Sequence, residues 1–359
     1  NLGTRDFVAY SFGSPGSAII NARENWWGSD DTAQIGPRIA DHRFNSTSSP
    51  RVDWCRYLGS EGGPPKVDAN CPDLVVCGGE TETWNDTEKP YQLTTDFVVC
   101  SDSELQVGPG VEVRTIATPV APPSFVVEGT FDVSGDPESP AVFGSDADPA
   151  AAGDWNSVEL LGSSVSTIEN AEFRHAGYGL EVSGSADVAL DGVAAHWNRF
   201  GLYVWGTGQP TVSALNSSFV ENIYHGVLLE GSWASPGNPN PLVTINHSSL
   251  HDNGASSYDL YALNFAGADR AIVDARENWW GSDETEQIGP RIFDHRNNSS
   301  VSPRVDWCRY LAAEGGSPAV DAHCPDLVVC DETATWDLTD KPYLVTTDFW
   351  VCPSTGILE

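Results

Sequence analysis

Residues 171–182 read AEFRHAGYGLEV, residues 193–204 read VAAHWNRFGLYV, and residues 217–230 read SSFVENIYHGVLLE. A looser fourth version, SSLHDNGASSYDLYA, occupies residues 248–262. Gly179, Gly201 and Gly226 mark successive turns, 22 and 25 residues apart. Apolar and polar residues alternate over four to eight positions after each glycine, which is strand patterning, and Gly, Asn, Asp, Ser and Pro separate the runs. The spacing predicts a coil of short strands. Leu180, Leu202, Val227 and Leu260 stack on one inward face, and Val182, Val204, Leu229 and Ala262 form a second stack. Successive coils then lie one interstrand distance apart, about 4.8 Å. A β-sandwich has similar strand spacing but gives no reason for the same side chain to return every twenty-odd residues.

A second repeat has a longer period. ARENWWGSDDTAQIGPRIADHR at residues 22–43 returns as ARENWWGSDETEQIGPRIFDHR at residues 275–296. Across residues 21–77 and 274–330, 45 of 57 positions are identical. The likeness continues to Cys100 and Cys352 after a one-residue slip. The chain thus reads as the end of one unit, one whole unit and the start of a third.

Composition narrows the class. With 18 basic and 51 acidic residues the formal net charge is −33, which repels a phosphate backbone and argues against nucleic acid as partner. Such a surface attracts divalent cations and suits a salty or extracellular medium, although an acidic surface also serves solubility alone. No apolar run approaches the roughly 20 residues of a membrane helix. There is no methionine, and the start at Asn1 in mid-pattern reads as a processed product or a part of a longer polypeptide.

The eight cysteines divide four and four: Cys55, Cys71, Cys77 and Cys100, then Cys308, Cys324, Cys330 and Cys352. An even set at reproduced spacing predicts disulfides in an oxidising compartment. Zinc is the rival, but His323 is matched by Asn70, and the matched pair His42 and His295 lacks a metal-ligand spacing. Glycosylation triplets fall at Asn45, Asn85, Asn216, Asn246, Asn297 and Asn298. With the cysteines they predict an extracellular, cell-surface protein.

Several phrases carry a family resemblance. They are ETWNDTEKPYQLTTDFVV (82–99), LQVGPGVEV (105–113), FVVEGTFDVSGDPESPAVFGSD (125–146), GDWNSVELLG (153–162), and NWWG followed by two isoleucines and RVDW. The sequence resembles right-handed parallel β-helix repeat proteins of the bacterial and archaeal cell surface, with a pectin-lyase-like fold. The resemblance implies an all-β chain of tandemly repeated right-handed parallel β-helix modules with disulfide-stapled linkers. Its expected divisions are the final coil and cap of one module (1–58), a linker (59–79), a complete module (80–311), a second linker (312–332) and the opening strands of another module (333–359).

In this reading the repeated phrase is a cap over an open coil end, where unpaired strand edges invite aggregation. Trp26, Trp27 and Gly28, and their copies Trp279, Trp280 and Gly281, supply apolar cover and a sharp turn. Ile35 and Ile39 point inward from a short, Pro-interrupted helical turn. An aromatic sugar platform is the functional rival. Four cysteines allow three pairings, and Cys55–Cys71 with Cys77–Cys100 is preferred because the second bridge fastens the linker to the next first coil.

Enzyme chemistry is the competing reading. Lyase action needs a base beside a carboxylate, but the complete module has no lysine after Lys89. Asp132, Asp136, Asp146, Asp148 and Asp154 lie in turn-like sequence, as solvated loops or a calcium site. Arg174–His175 is the most enzyme-like pair. Tyr178, Phe200 and Tyr224 form a candidate exposed aromatic ladder for glycan binding. The expectation is a non-enzymatic structural subunit that joins copies of itself head-to-tail into a filament, sheath or surface layer. It has no required cofactor, and calcium is the ion that its acidic loops would take. The alternatives are a glycan-binding adhesin and a polysaccharide lyase or hydrolase.

Overall fold

The computed structural model describes residues 5–10, 19–41, 49–67, 75–93, 95–116, 122–206, 208–231, 239–254, 257–268 and 271–320, and the short strands 328–329, 333–334, 350–351 and 357–358. Asn45, His42, Cys71, Cys324, Cys330 and Cys352 lie outside the described residues.

The chain winds as a parallel β-helix of nine rungs. Two nine-stranded parallel sheets run its length. A third sheet of five strands is continued by the single-residue bridges Ala194–Ser218, Ser218–Ser249 and Ser249–Trp279. The first rung comprises Val75–Val76, Thr81–Trp84 and Tyr91–Leu93, and the ninth comprises Ile292–Phe293 and Arg304–Asp306. Each rung pairs in register with the next, so identical faces recur. Leu180 stands beside Leu202, then Val227, then Leu260; Val182 stands beside Val204, then Leu229, then Ala262. All eight are fully buried. Both stacks read from the glycine period are present, and the parallel ladders exclude the sandwich.

The core changes composition along the axis. In the early rungs it is aromatic: Trp84 stacks on Tyr91 at 4.5 Å, and Phe97, Phe125, Phe131, Phe143 and Phe173 follow in contact. Leu, Val, Ile and Ala predominate in the later rungs, with Phe219 and Phe265 among them. Bulky rings close the first rung, where no earlier coil covers the core.

Buried polar ladders fix the turns. Asn198, Asn222 and Asn253 lie one above another, each at most 2 % exposed. Asn222 Oδ1 accepts from the Asn198 amide at 3.0 Å, and Asn253 Oδ1 accepts from the Asn222 amide at 3.0 Å. The side-chain amide of Asn222 donates to the Ala195 carbonyl at 3.0 Å, and that of Asn253 donates to the Phe219 carbonyl at 2.9 Å. These side chains satisfy backbone groups that the bend removes from the sheets. Gly201 is required here: a Cβ would lie 2.6 Å from the Gly226 carbonyl and 2.9 Å from the Asn222 amide.

Residues 5–67 repeat the closing geometry. Phe7–Val8 pairs with Ile39–Ala40 as Leu260–Tyr261 pairs with Ile292–Phe293. Ile19–Asn21 pairs with Arg51–Asp53 as Ile272–Asp274 pairs with Arg304–Asp306. Each copy then folds an antiparallel hairpin, Arg56–Leu58 with Pro65–Val67 and Arg309–Leu311 with Pro318–Val320. At the far end Val328–Val329 pairs with Trp350–Val351, the register of Val75–Val76 with Val98–Val99. The first rung therefore opens at Val75, inside the segment assigned to the linker.

Candidate functional site: the junction between β-helix ends

The NWWG phrase does not lie across the last rung. Trp279 sits in the third sheet of the eighth rung, and the chain continues through the helical turn Thr285–Ile288 and Gly289–Arg291 into the ninth. Trp280 is buried, and Trp26, Trp27 and Trp279 are half-buried. Gly28 and Gly281 adopt φ of +76° and +78°, the left-handed turn expected of them. Ile35, Ile39, Ile288 and Ile292 are all inward. Trp54 and Trp307, the tryptophans of RVDW, are each 2 % exposed and lie under Gly36 and Gly289. The end of the helix is therefore plugged by that tryptophan together with the helical turn.

Beyond the first plug, the closing rung meets the opening of the next helix through charge pairs. Arg51, 8 % exposed, places Nη2 2.7 Å from Asp96 Oδ2. The other carboxylate oxygen of Asp96 accepts from the Ser124 amide at 3.0 Å. Arg23 Nη2 lies 2.9 Å from Glu80 Oε2, and Arg56 Nη1 approaches the same oxygen at 3.6 Å. Glu80 is thus held between two guanidinium groups. Their copies are Arg276, Arg304 and Arg309, and the copies of the two acids are Glu332 and Asp348. Arg276 is bound by Asp274 at 3.0 Å, and Arg309 Nε is bound by Glu277 at 3.0 Å.

A disulfide joins Cys77 to Cys100, with Cα atoms 4.9 Å apart, and ties the chain entering the first rung to the second. Cys55 and Cys308 are buried and disulfide-bonded, and no described cysteine is free.

The enzyme-like residues are engaged with one another. Arg174 Nη1 lies 3.0 Å from Glu172 Oε1, and His196 Nε2 reaches the same oxygen at 2.7 Å. The His196 hydrogen bond and the Arg174 charge hold Glu172 below the usual carboxylate range. His175 stacks on Trp197 at 5.8 Å, and burial, with Arg174 adding, lowers its pKa. The five acids scatter. Asp132 lies on the outer face of the second sheet; Asp136 and Asp148 sit in turns; Asp146 pairs with Arg114 at 3.3 Å; Asp154 accepts from Ser145 Oγ at 2.7 Å. Among the described residues no three His, Cys, Asp or Glu side chains gather as a metal site.

The aromatic ladder exists and is longer than expected. Tyr178 stacks on Phe200 at 5.0 Å and on Tyr203 at 5.1 Å, and Phe200 meets Tyr224 at 5.2 Å. His225, Tyr261 and Phe293 extend it at 4.9 Å and 4.4 Å. Successive rungs lay these rings on one another, half-buried along most of the ladder and 47 % exposed at Tyr224. Beside them Glu159 and Glu181 are neighbours in register. Burial, with the nearby Glu159 charge, pushes Glu181 up to about 7.

That shift has a sign. The folded-state pKa lies above the ordinary value of 4.5, so folding favours the protonated acid. Stability from this group is complete below pH 4.5 and is lost as pH rises through about 7. Glu181→Gln should therefore match the parent near pH 4.5 and melt higher above pH 7. The gap should be on the order of 1–3 kcal/mol after allowing for solvent screening. Melting curves that stay parallel across this range would contradict it.

Residues 151–273 match the family described as right handed beta helix region, which places the middle rungs in that fold and gives the coil its hand. Neither the curated proteins nor the solved structures contain a match to the chain. No described helix is long and apolar enough to cross a membrane.

Proposed function

We propose that this protein is a non-enzymatic structural subunit of an extracellular cell-surface array, in which β-helix units follow one another head to tail. The observation that carries the reading is the charged junction. Arg23, Arg51 and Arg56 of a closing rung hold Glu80 and Asp96 of the next opening, and all five residues recur in sequence at the far end. A contact between unlike ends does not close on itself and propagates as a filament or sheath. Rungs that gain stability only from neighbours favour the same outcome. The acidic surface and the cysteines suit an oxidising exterior.

Glycan adhesion is supported less, because most rings of the aromatic ladder are half-buried against one another. Catalysis is supported less again, because Arg174 and His196 both engage the same oxygen of Glu172. Two tests follow. Deleting residues 333–359, which carry Asp348, should shorten or abolish polymers in light scattering; polymers of unchanged length would sink the end-to-end mechanism. Incubation with pectate, alginate and neutral glycans should give no product. Turnover abolished by Arg174→Ala or His175→Ala would establish an enzyme instead.

A further inference from the structure

The glycosylation triplets are not equivalent once folded. Asn85, Asn216 and Asn246 all fall at the bend between the second and third sheets, after Thr81–Trp84, at the end of Thr211–Leu215 and within Leu242–Asn246. They share one edge of the prism, on the first, sixth and seventh rungs. Five rungs at about 4.8 Å put roughly 24 Å between the first two.

Their side chains differ. Asn85 is exposed, its side-chain amide makes no hydrogen bond to the described residues, and Thr87 of its triplet is exposed too. Asn216 is exposed at φ +49°, and its amide donates only to the exposed Asp191, at 2.8 Å. Asn246 is half-buried. Its amide donates to Asp274 at 3.2 Å and to the Arg276 carbonyl at 2.9 Å. The hydroxyl residue of that triplet, Ser248, is 2 % exposed. It donates to the Asn246 carbonyl at 2.8 Å and accepts from the Ser217 amide at 3.1 Å. A sugar on the Asn246 nitrogen would replace one of its two N–H donors, both of which are engaged, by Asp274 and by the Arg276 carbonyl.

We propose that this edge is an N-glycosylated edge, with sugar on Asn85 and Asn216 and none on Asn246. The reaction requires a lipid-linked sugar diphosphate. The amide nitrogen attacks the anomeric carbon, an N–C bond forms, the C–O bond to phosphate breaks, the lipid diphosphate leaves and one amide proton passes to base.

Glycopeptide mass spectrometry of the protein from its native source tests this. The expected result is sugar on the Asn85 and Asn216 peptides and an unmodified Asn246 peptide. In the same host, Asn85→Gln and Asn216→Gln should each remove one glycan mass, whereas Asn246→Gln should leave the mass pattern intact and lower the melting temperature. Sugar on Asn246, or bare Asn85 and Asn216, would overturn the proposal. Neither result bears on polymer formation.

Discussion

Replacing Arg51 with glutamate should separate the amino-terminal rungs from the complete helix and cost about 1–3 kcal/mol, less than for a fully buried pair because the Asp96 side chain is 34 % exposed and partly screened by solvent. Arg51 is almost wholly buried against Asp96, so the reversal sets two carboxylates within a contact that a guanidinium now fills. Coulomb repulsion adds to the loss of a charge-assisted hydrogen bond. Calorimetry should show residues 5–67 melting early as a separate transition, while the nine-rung helix melts as before. Arg51→Glu combined with Asp96→Arg should restore part of the loss, because the swapped charges attract again; the coupling measured by that double-mutant cycle isolates the pair. A single transition at the parent temperature in Arg51→Glu would show that the junction contributes nothing.

Asn222→Leu should be more damaging, for a different reason. The two side chains have the same number of heavy atoms branched at the same position, and leucine is the bulkier, so no cavity results. The leucine cannot accept from the Asn198 amide or donate to the Ala195 carbonyl, and it faces the Asn253 amide group with no hydrogen bond. Each buried backbone group left unpaired costs about 1–3 kcal/mol, so the sum is roughly 3–5 kcal/mol. For a unit of this size that is a fall of about 8–15 °C in melting temperature. A change under about 1 kcal/mol would mean that the ladder is ornamental.

The inward stacks were legible because a β-helix writes its period directly into the chain: Leu180, Leu202 and Val227 recur at fixed distances from Gly179, Gly201 and Gly226. The asparagine ladder was less so. Asn198 precedes its glycine by three residues and Asn222 by four, and the third partner, Asn253, has no such glycine after it in register. The slip lies in turns of unequal length, which a fixed period cannot follow. The NWWG phrase was read as the cap because paired tryptophans suggest cover. Trp280 is buried in the same core as Trp307, and Trp27 packs on the cluster that holds Trp54; Trp54 and Trp307 are single residues whose depth depends on two further strands and a hairpin. The junction arginines could not be assigned from sequence. Arg51 and Asp96 are 45 residues apart, and only the docking of one helix end on the next brings them together.

The central claim is end-to-end assembly, and electron microscopy of the native material tests it most directly. Nine rungs at about 4.8 Å occupy roughly 43 Å, so an array of these units should show ordered polymer with an axial period of at least that length. The Arg51→Glu protein should give broken or irregular polymer under the same conditions. Dispersed single chains in the native material, with no ordered polymer at any concentration or ionic strength, would contradict the account.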